Sequence, residues 1–182
     1  MENINWNELR DRAYQCAVNH GWHEEKHSCY HYMMLFVSEL GEVVNADRIG
    51  KHADITKFNL TNEPHCFKES FETFIKDTVE DELADAVMRL LDLAKEFGYD
   101  IDNSYFTKEH YDEISVILEN HSFTEILFCI VVSLSDSRTN LSDTLYYLWG
   151  IAYHLSIDLP WFIEQKMKYN ELRPYKHGNK KY

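Results

Sequence analysis

The sequence predicts an all-α protein built as a helical bundle, and three observations carry that expectation. Apolar residues recur at helical spacing along almost all of the 182-residue chain, and no convincing strand-like alternation occurs. Only three prolines and six glycines interrupt it, so long helices are permitted. Hydrophobic residues make up 45% and charged residues 27%, which gives enough apolar material for one buried core or for two fused small bundles.

In chain order, helices are expected over about 4–20, 27–49, 69–98, 107–120, 122–136, 141–156 and 160–172. In the second, Tyr32, Leu35, Phe36, Val43 and Ala46 share one face at about 100° per residue. The third has an irregular start and takes its apolar side from Val79, Leu83, Val87, Leu90, Leu91 and Ala94. The fifth holds the longest apolar run, Ile126 to Leu134, about half the length a membrane span needs. Asp100-Ile-Asp-Asn-Ser and Ser156-Ile-Asp-Leu-Pro read as helix exits, and Pro160 suits the first turn of the last helix. The stretch from Gly50 to Cys66 has no clear period, contains Pro64 and is expected to be a long loop.

The two halves of the chain echo each other. The segment from Leu83 to Ile101 aligns without a gap on that from Leu141 to Leu159, and Val37-Ser-Glu-Leu-Gly-Glu aligns imperfectly on Val132-Ser-Leu-Ser-Asp. In that register Glu39 meets Ser133, Glu42 meets Asp136, Glu82 meets Asn140 and Asp85 meets Asp143. The second copy keeps the apolar scaffold and loses most of the carboxylates. Shared Leu and Ala spacing between any two amphipathic helices explains the echo equally well.

A formal net charge of -13 argues against a general nucleic-acid-binding role, because such affinity comes from Lys and Arg on phosphates. The basic residues are uneven, however. Lys166, Lys168, Arg173, Lys176, Lys180 and Lys181 crowd into the last seventeen positions, the one place where an anion would be welcome. Cys16, Cys29, Cys66 and Cys129 lie far apart with no CxxC spacing, and read as thiols of a reducing compartment. The N-terminal residues show no apolar signal core, so a cytoplasmic protein that does not engage a membrane is expected.

Two helices each carry an acidic pair one turn apart, Glu39-Leu-Gly-Glu42 and Glu82-Leu-Ala-Asp85. Spacing of i and i+3 sends both side chains from the same face. Packed antiparallel, two such helices can surround hard cations such as Mg²⁺ or Mn²⁺, which prefer oxygen ligands. Most Glu-x-x-Glu pairs are only solvated acids. The first pair resists that reading because it shares a face with Tyr32, Leu35, Phe36, Val43 and Ala46, where a carboxylate is costly unless paired or bound to metal. The second pair, taken alone with Arg89 and Asp92, reads as a solvated acidic stripe. A ferritin-like di-iron site requires two Glu-x-x-His pairs, and the chain offers only Glu24-Glu-Lys-His27. No Gly-rich phosphate loop, zinc His-Glu-x-x-His or Gly-x-Ser-x-Gly elbow occurs.

The segments Ser38-Glu-Leu-Gly-Glu-Val-Val-Asn-Ala-Asp-Arg48 and Glu80-Asp-Glu-Leu-Ala-Asp-Ala-Val-Met-Arg-Leu-Leu-Asp-Leu-Ala94 resemble the MazG-like family of all-α nucleotide pyrophosphatases. The tail Lys166-Met-Lys-Tyr-Asn-Glu-Leu-Arg-Pro-Tyr-Lys-His-Gly178 is similar to that family's C-terminal signature and to the phosphate-binding segment of the related dimeric dUTPases. The resemblance covers about 20–102 and 157–182. It implies a helical bundle of the MazG and dimeric dUTPase type, with residues 1–182 as one all-α domain. Residues 1–102 would be the acidic-motif half, 103–159 a degenerate repeat or insertion, and 160–182 a basic phosphate-binding tail. It further implies cleavage of a nucleoside triphosphate, dUTP or dCTP among the options, to monophosphate and pyrophosphate. Mg²⁺, or Mn²⁺, would be held by Glu39, Glu42, Glu82 and Asp85.

Lys166, Asn170, Arg173 and Lys176 are the candidates for holding the triphosphate, the first three lying on one helical face. Trp22, His23 and His31 are the candidates for the base. A homodimer is the expected assembly. The competing expectation is a non-catalytic helical module for nucleotide binding or protein interaction, and Ser38 just ahead of Glu39, where a further acid is missing, favours it. The interval between the acidic motifs is longer than the family's usual one, and some fifty residues separate the second motif from the tail.

Overall fold

A computed structural model describes residues 4–63, 65–134 and 140–181 of the chain, and among them every regular element is helical. The order is α1 (Trp6–Asn19), α2 (Cys29–Arg48), α3 (Ile55–Thr61), α4 (Phe67–Phe74) and α5 (Val79–Glu96). A 3-10 turn at Asn103–Tyr105 leads to α6 (Lys108–Asn120), α7 (Phe123–Leu134), α8 (Leu141–His154), α9 (Leu159–Glu171) and an irregular last turn, α10 (Lys176–Asn179). None of these helices is long and apolar enough to cross a membrane.

The fold is arranged around α5, which packs against α1, α2, α8 and α9. Val79, Leu83, Val87, Leu90, Leu91 and Leu93 are all essentially inaccessible, so its apolar surface goes well beyond one stripe. Each such side chain contributes about 1.5–3 kcal/mol through removal from water. The partner that matters most for chemistry is α2. Tyr32 meets Phe97, Glu39 meets Arg89, and the carbonyl of Lys51 accepts from the Val79 amide, so α2 and α5 run in opposite directions.

The helices expected at 4–20, 27–49, 107–120, 141–156 and 160–172 are present with each end within two residues of the expected position. Frayed ends are where an apolar period is least informative. The helix expected over 122–136 is seen from Phe123 to Leu134, and its last two expected positions lie outside the described residues.

Two expectations are corrected. The long loop over 50–66 contains α3. Asp54 caps it by accepting from the Lys57 amide at 2.9 Å, and Phe58 anchors it, fully buried against Phe67 and Trp161. One anchor and one cap hold a two-turn helix that is too short to show a period; Pro64 lies outside the described residues. The helix expected over 69–98 is two helices. Asp77 adopts a left-handed φ of 59°, and Thr78 then caps α5 by accepting from the Asp81 amide at 3.3 Å. The Asp81 carboxylate in turn accepts from the Asp77 amide at 3.0 Å. The break places the acidic pair of α5 within its first two turns.

The residues aligned with the acidic motifs in the second half have local structural duties. Asp143 closes a capping box with Asn140 at the start of α8, and Ser133 donates to the Ile130 carbonyl. Asp136 lies outside the described residues.

Candidate metal centre and its cleft

The first acidic pair projects from the middle of α2 and the second from the start of α5, and the antiparallel packing brings them together. Carboxylate oxygens of Glu39, Glu42 and Glu82 lie within 4.8 Å of one another. All four expected acids line one cleft with an interior of about 180 Å³. Their environments differ sharply. Glu42 is exposed, whereas Glu39 and Glu82 are 8% and 4% exposed. Arg89 donates from Nε to Oε1 of Glu39 at 3.0 Å. Glu82 makes no side-chain hydrogen bond or ion pair among the described residues. Burial, reinforced by Asp85, Asp81 and Glu42 and opposed by Lys166, pushes its carboxyl up to about 8. Burial and the nearby Asp85 also raise Glu39, against the pull of Arg89.

This donor set suits a hard divalent cation. It is all oxygen, it is concentrated, and one member is buried without a partner, which is the condition a cation would relieve. The acids of α5 also depart from the expected solvated stripe: Asp81, Glu82 and Asp92 are each 5% exposed or less. They are buried because helices cover α5 from several directions, a matter of packing that its own sequence does not display.

Three of the tail candidates lie at the cleft, in different states. Asn170 and Arg173 line it, with Arg173 reaching back to the Asn170 side chain at 3.4 Å. Lys166 also borders it but is 4% exposed and committed elsewhere, its ammonium lying 2.7 Å from Asp85 and 2.9 Å from Asp81. Burial opposes its charge, yet Asp85 and Asp81 outweigh that and hold it protonated. Lys166 is therefore placed to orient Asp85, and as it stands it is not free to meet a phosphate. Lys176 faces a smaller neighbouring hollow and pairs with Glu24 at 3.4 Å.

The expected base contacts separate in the same way. Trp22 lines the cleft, and His31 lines the smaller hollow beside it. His23 lines neither. Its ring lies between Tyr14 and Tyr32, with Nε2 at 2.7 Å from Asp92 and Nδ1 at 3.1 Å from Glu96. Burial opposes protonation, but Asp92 and Glu96 together raise the imidazole above its ordinary value.

Sequence reasoning missed Asp81, His20, Lys76, Met88 and His177, whereas Lys180, which also lines the cleft, belongs to the basic cluster expected to welcome an anion. Asp81 was detectable, because Thr78-Val-Glu-Asp81 is a capping pattern and Asp81 lies one turn before Asp85. His177 gave no signal. It enters the cleft because residues 176–178 adopt left-handed φ values and the Lys176 amide donates to the His20 carbonyl at 3.0 Å. Its ring packs against His20 and Trp22, and burial, with Arg173 and His20 nearby, lowers its pKa to about 3, leaving it neutral. Compared with known proteins, the chain matches no family model, no curated protein and no solved structure.

Proposed function

We propose that the protein is a Mg²⁺-dependent pyrophosphohydrolase that takes a nucleoside triphosphate and water to a nucleoside monophosphate and pyrophosphate. The observation that carries the reading is the convergence of Glu39, Glu42 and Glu82 within 4.8 Å, beside Asp85, in a cleft that also holds Asn170 and Arg173. The resemblance of both acidic motifs and the tail to MazG-like proteins supports it. Glu39, Glu42, Glu82 and Asp85 would hold Mg²⁺, or Mn²⁺, which supplies charge neutralisation at phosphate and a lowered pKa for a bound water.

The chemical obstacle is charge, since water must reach a phosphorus ringed by anionic oxygens while pyrophosphate departs with more. Arg173 offers a planar fork to those oxygens and Asn170 its amide protons. Lys166 keeps Asp85 and Asp81 fixed. Arg89 occupies one oxygen of Glu39 and leaves the other to accept the proton of the attacking water.

The test is pyrophosphate release from a panel of ribo- and deoxynucleoside triphosphates with Mg²⁺. Glu42→Gln and Asp85→Asn are each expected to lower kcat by on the order of a hundredfold or more. Glu42 is the better probe, because its exposure means that the fold does not depend on its charge. Absence of metal-dependent turnover with every nucleotide, in a folded protein, overturns the reading. One observation favours a second reading, a non-catalytic module for nucleotide binding or protein interaction. Lys166 and Arg89 already compensate Asp85 and Glu39, so part of the acidic site is neutralised by the protein itself.

A further inference from the structure

We infer that Asp92 reads the nucleobase, and that the cleft selects bases carrying an exocyclic amino group over uracil and thymine. The inference rests on the nucleotide reading above and specifies its substrate. Asp92 lies seven residues beyond Asp85 on the same face of α5, which at 1.5 Å per residue is about 10 Å along the axis. That is the scale of the distance from the α-phosphorus of a nucleotide to the pairing edge of its base.

Besides its charged residues, Arg89 among them, the cleft that Asp92 lines includes Ala13, Ala17, His20, Trp22 and Met88, which are small, aromatic or apolar. This wall suits the face of a flat heterocycle. Asp92 is 5% exposed, and its Oδ1 lies 2.7 Å from His23 Nε2. Its Oδ2 has no hydrogen-bond partner among the described residues. Nor does Asp92 belong to the convergent set of Glu39, Glu42 and Glu82. A buried carboxylate repels phosphate, so what it can welcome in this cleft is an N–H donor.

Uracil and thymine offer only N3–H, flanked on both sides by carbonyl oxygens that a carboxylate repels, whereas cytosine and adenine present an amino group at the edge and guanine sets its amino group beside N1–H. A carboxylate held from behind by an imidazole that is itself fixed by Glu96 and Tyr32 cannot swing aside for an acceptor. The site therefore favours amino-bearing bases and opposes carbonyl edges.

The experiment compares kcat/KM for dCTP, dATP and dGTP with that for dUTP and dTTP in Mg²⁺, in the wild type, Asp92→Asn and Glu96→Gln. In parallel, calorimetry measures binding of the α,β-imido analogues of dCTP and dUTP. The wild type is expected to favour amino-bearing substrates by roughly tenfold or more. Asp92→Asn, whose amide can donate to a carbonyl, should collapse or invert that ratio. Glu96→Gln, which loosens the support of His23 without altering the cleft wall, should weaken that ratio without inverting it. A wild type without preference, a preference for uracil or thymine, or an Asp92→Asn variant with the original ratio overturns the inference. If Asp92→Asn does not fold, the wild-type ratio and the calorimetric dCTP-to-dUTP ratio decide. Selective binding without turnover would overturn the hydrolase reading and leave base selection standing, whereas binding of neither analogue overturns both.

Discussion

Glu82 concentrates the physics of the site in one side chain. A carboxyl whose folded pKa is about 8 binds a proton in the native state over a range where the unfolded chain, near 4.5, has released it. The native state then holds more protons than the unfolded state, so stability of the metal-free protein falls as pH rises from about 4.5 to about 8 and levels off above. A divalent cation competes for the same oxygens and needs them deprotonated. We therefore expect the metal-free protein to melt at a lower temperature at pH 8.5 than at pH 6, and the rise in Tm on adding Mg²⁺ to be larger at pH 8.5. Glu82→Gln should remove most of this pH dependence and most of the Mg²⁺ response, while stabilising the metal-free protein at pH 8.5 by on the order of a few kcal/mol. Calorimetric melts of both proteins with and without Mg²⁺ check this, and equal Mg²⁺ shifts at the two pH values would count against a metal at Glu82.

Helices differ in how much of themselves a sequence reveals. The acidic pair of α2 was legible because Glu39 breaks an apolar stripe, and the structure buries it. The pair of α5 was not, since Glu82 becomes unusual only when other helices cover the polar side of α5. The short α3 escaped for a related reason: a single capping hydrogen bond and a single anchored phenylalanine leave no periodic trace. The position of Lys166 was legible as one face of α9, but its pairing with Asp81 and Asp85 depends on a contact across 85 residues of chain. Glycines give a test at this scale. Gly41, in the interior of α2, has nothing within 4 Å of where a Cβ would stand, so Gly41→Ala is expected to stabilise by about 1 kcal/mol through helix propensity. At Gly150 in α8 the same Cβ would stand 2.4 Å from Ile114 Cδ1, a fully buried side chain of α6. Overpacking of about 1–3 kcal/mol outweighs the propensity gain there, so Gly150→Ala should lower Tm. Melts of opposite sign confirm the α6–α8 contact, and equal shifts refute it.

At the scale of the whole molecule, the cleft joins parts of the chain that are far apart in sequence. Its acids come from α2, α5 and the turn before α5, its cations from that turn, α5, α9 and the tail, and its aromatic wall from the turn after α1 together with His177. That wall depends on Gly21, whose φ of +80° favours glycine and whose missing Cβ would meet the Tyr175 ring at 2.3 Å. Tyr175 also donates to Glu24 and the Lys176 amide to His20, so the turn and the tail are tied to each other. Gly21→Ala should weaken nucleotide binding severalfold while shifting Tm only modestly, because the core around α5 is untouched. Titration with an imido nucleotide beside a thermal melt separates the two effects, and unchanged affinity would show that the tail does not need this contact.

The ties between Tyr175, Lys176 and the turn after α1 also set an order of assembly during translation. The ribosome delivers all four acids well before it makes the strand of chain that roofs them. A nascent polypeptide halted short of Arg173 would expose its carboxylates to solvent and ions but would lack the last wall of the chamber. Closure of the chamber therefore waits on residues 173–180, which settle against the turn after α1 only once the acids of α2 and α5 have already been made.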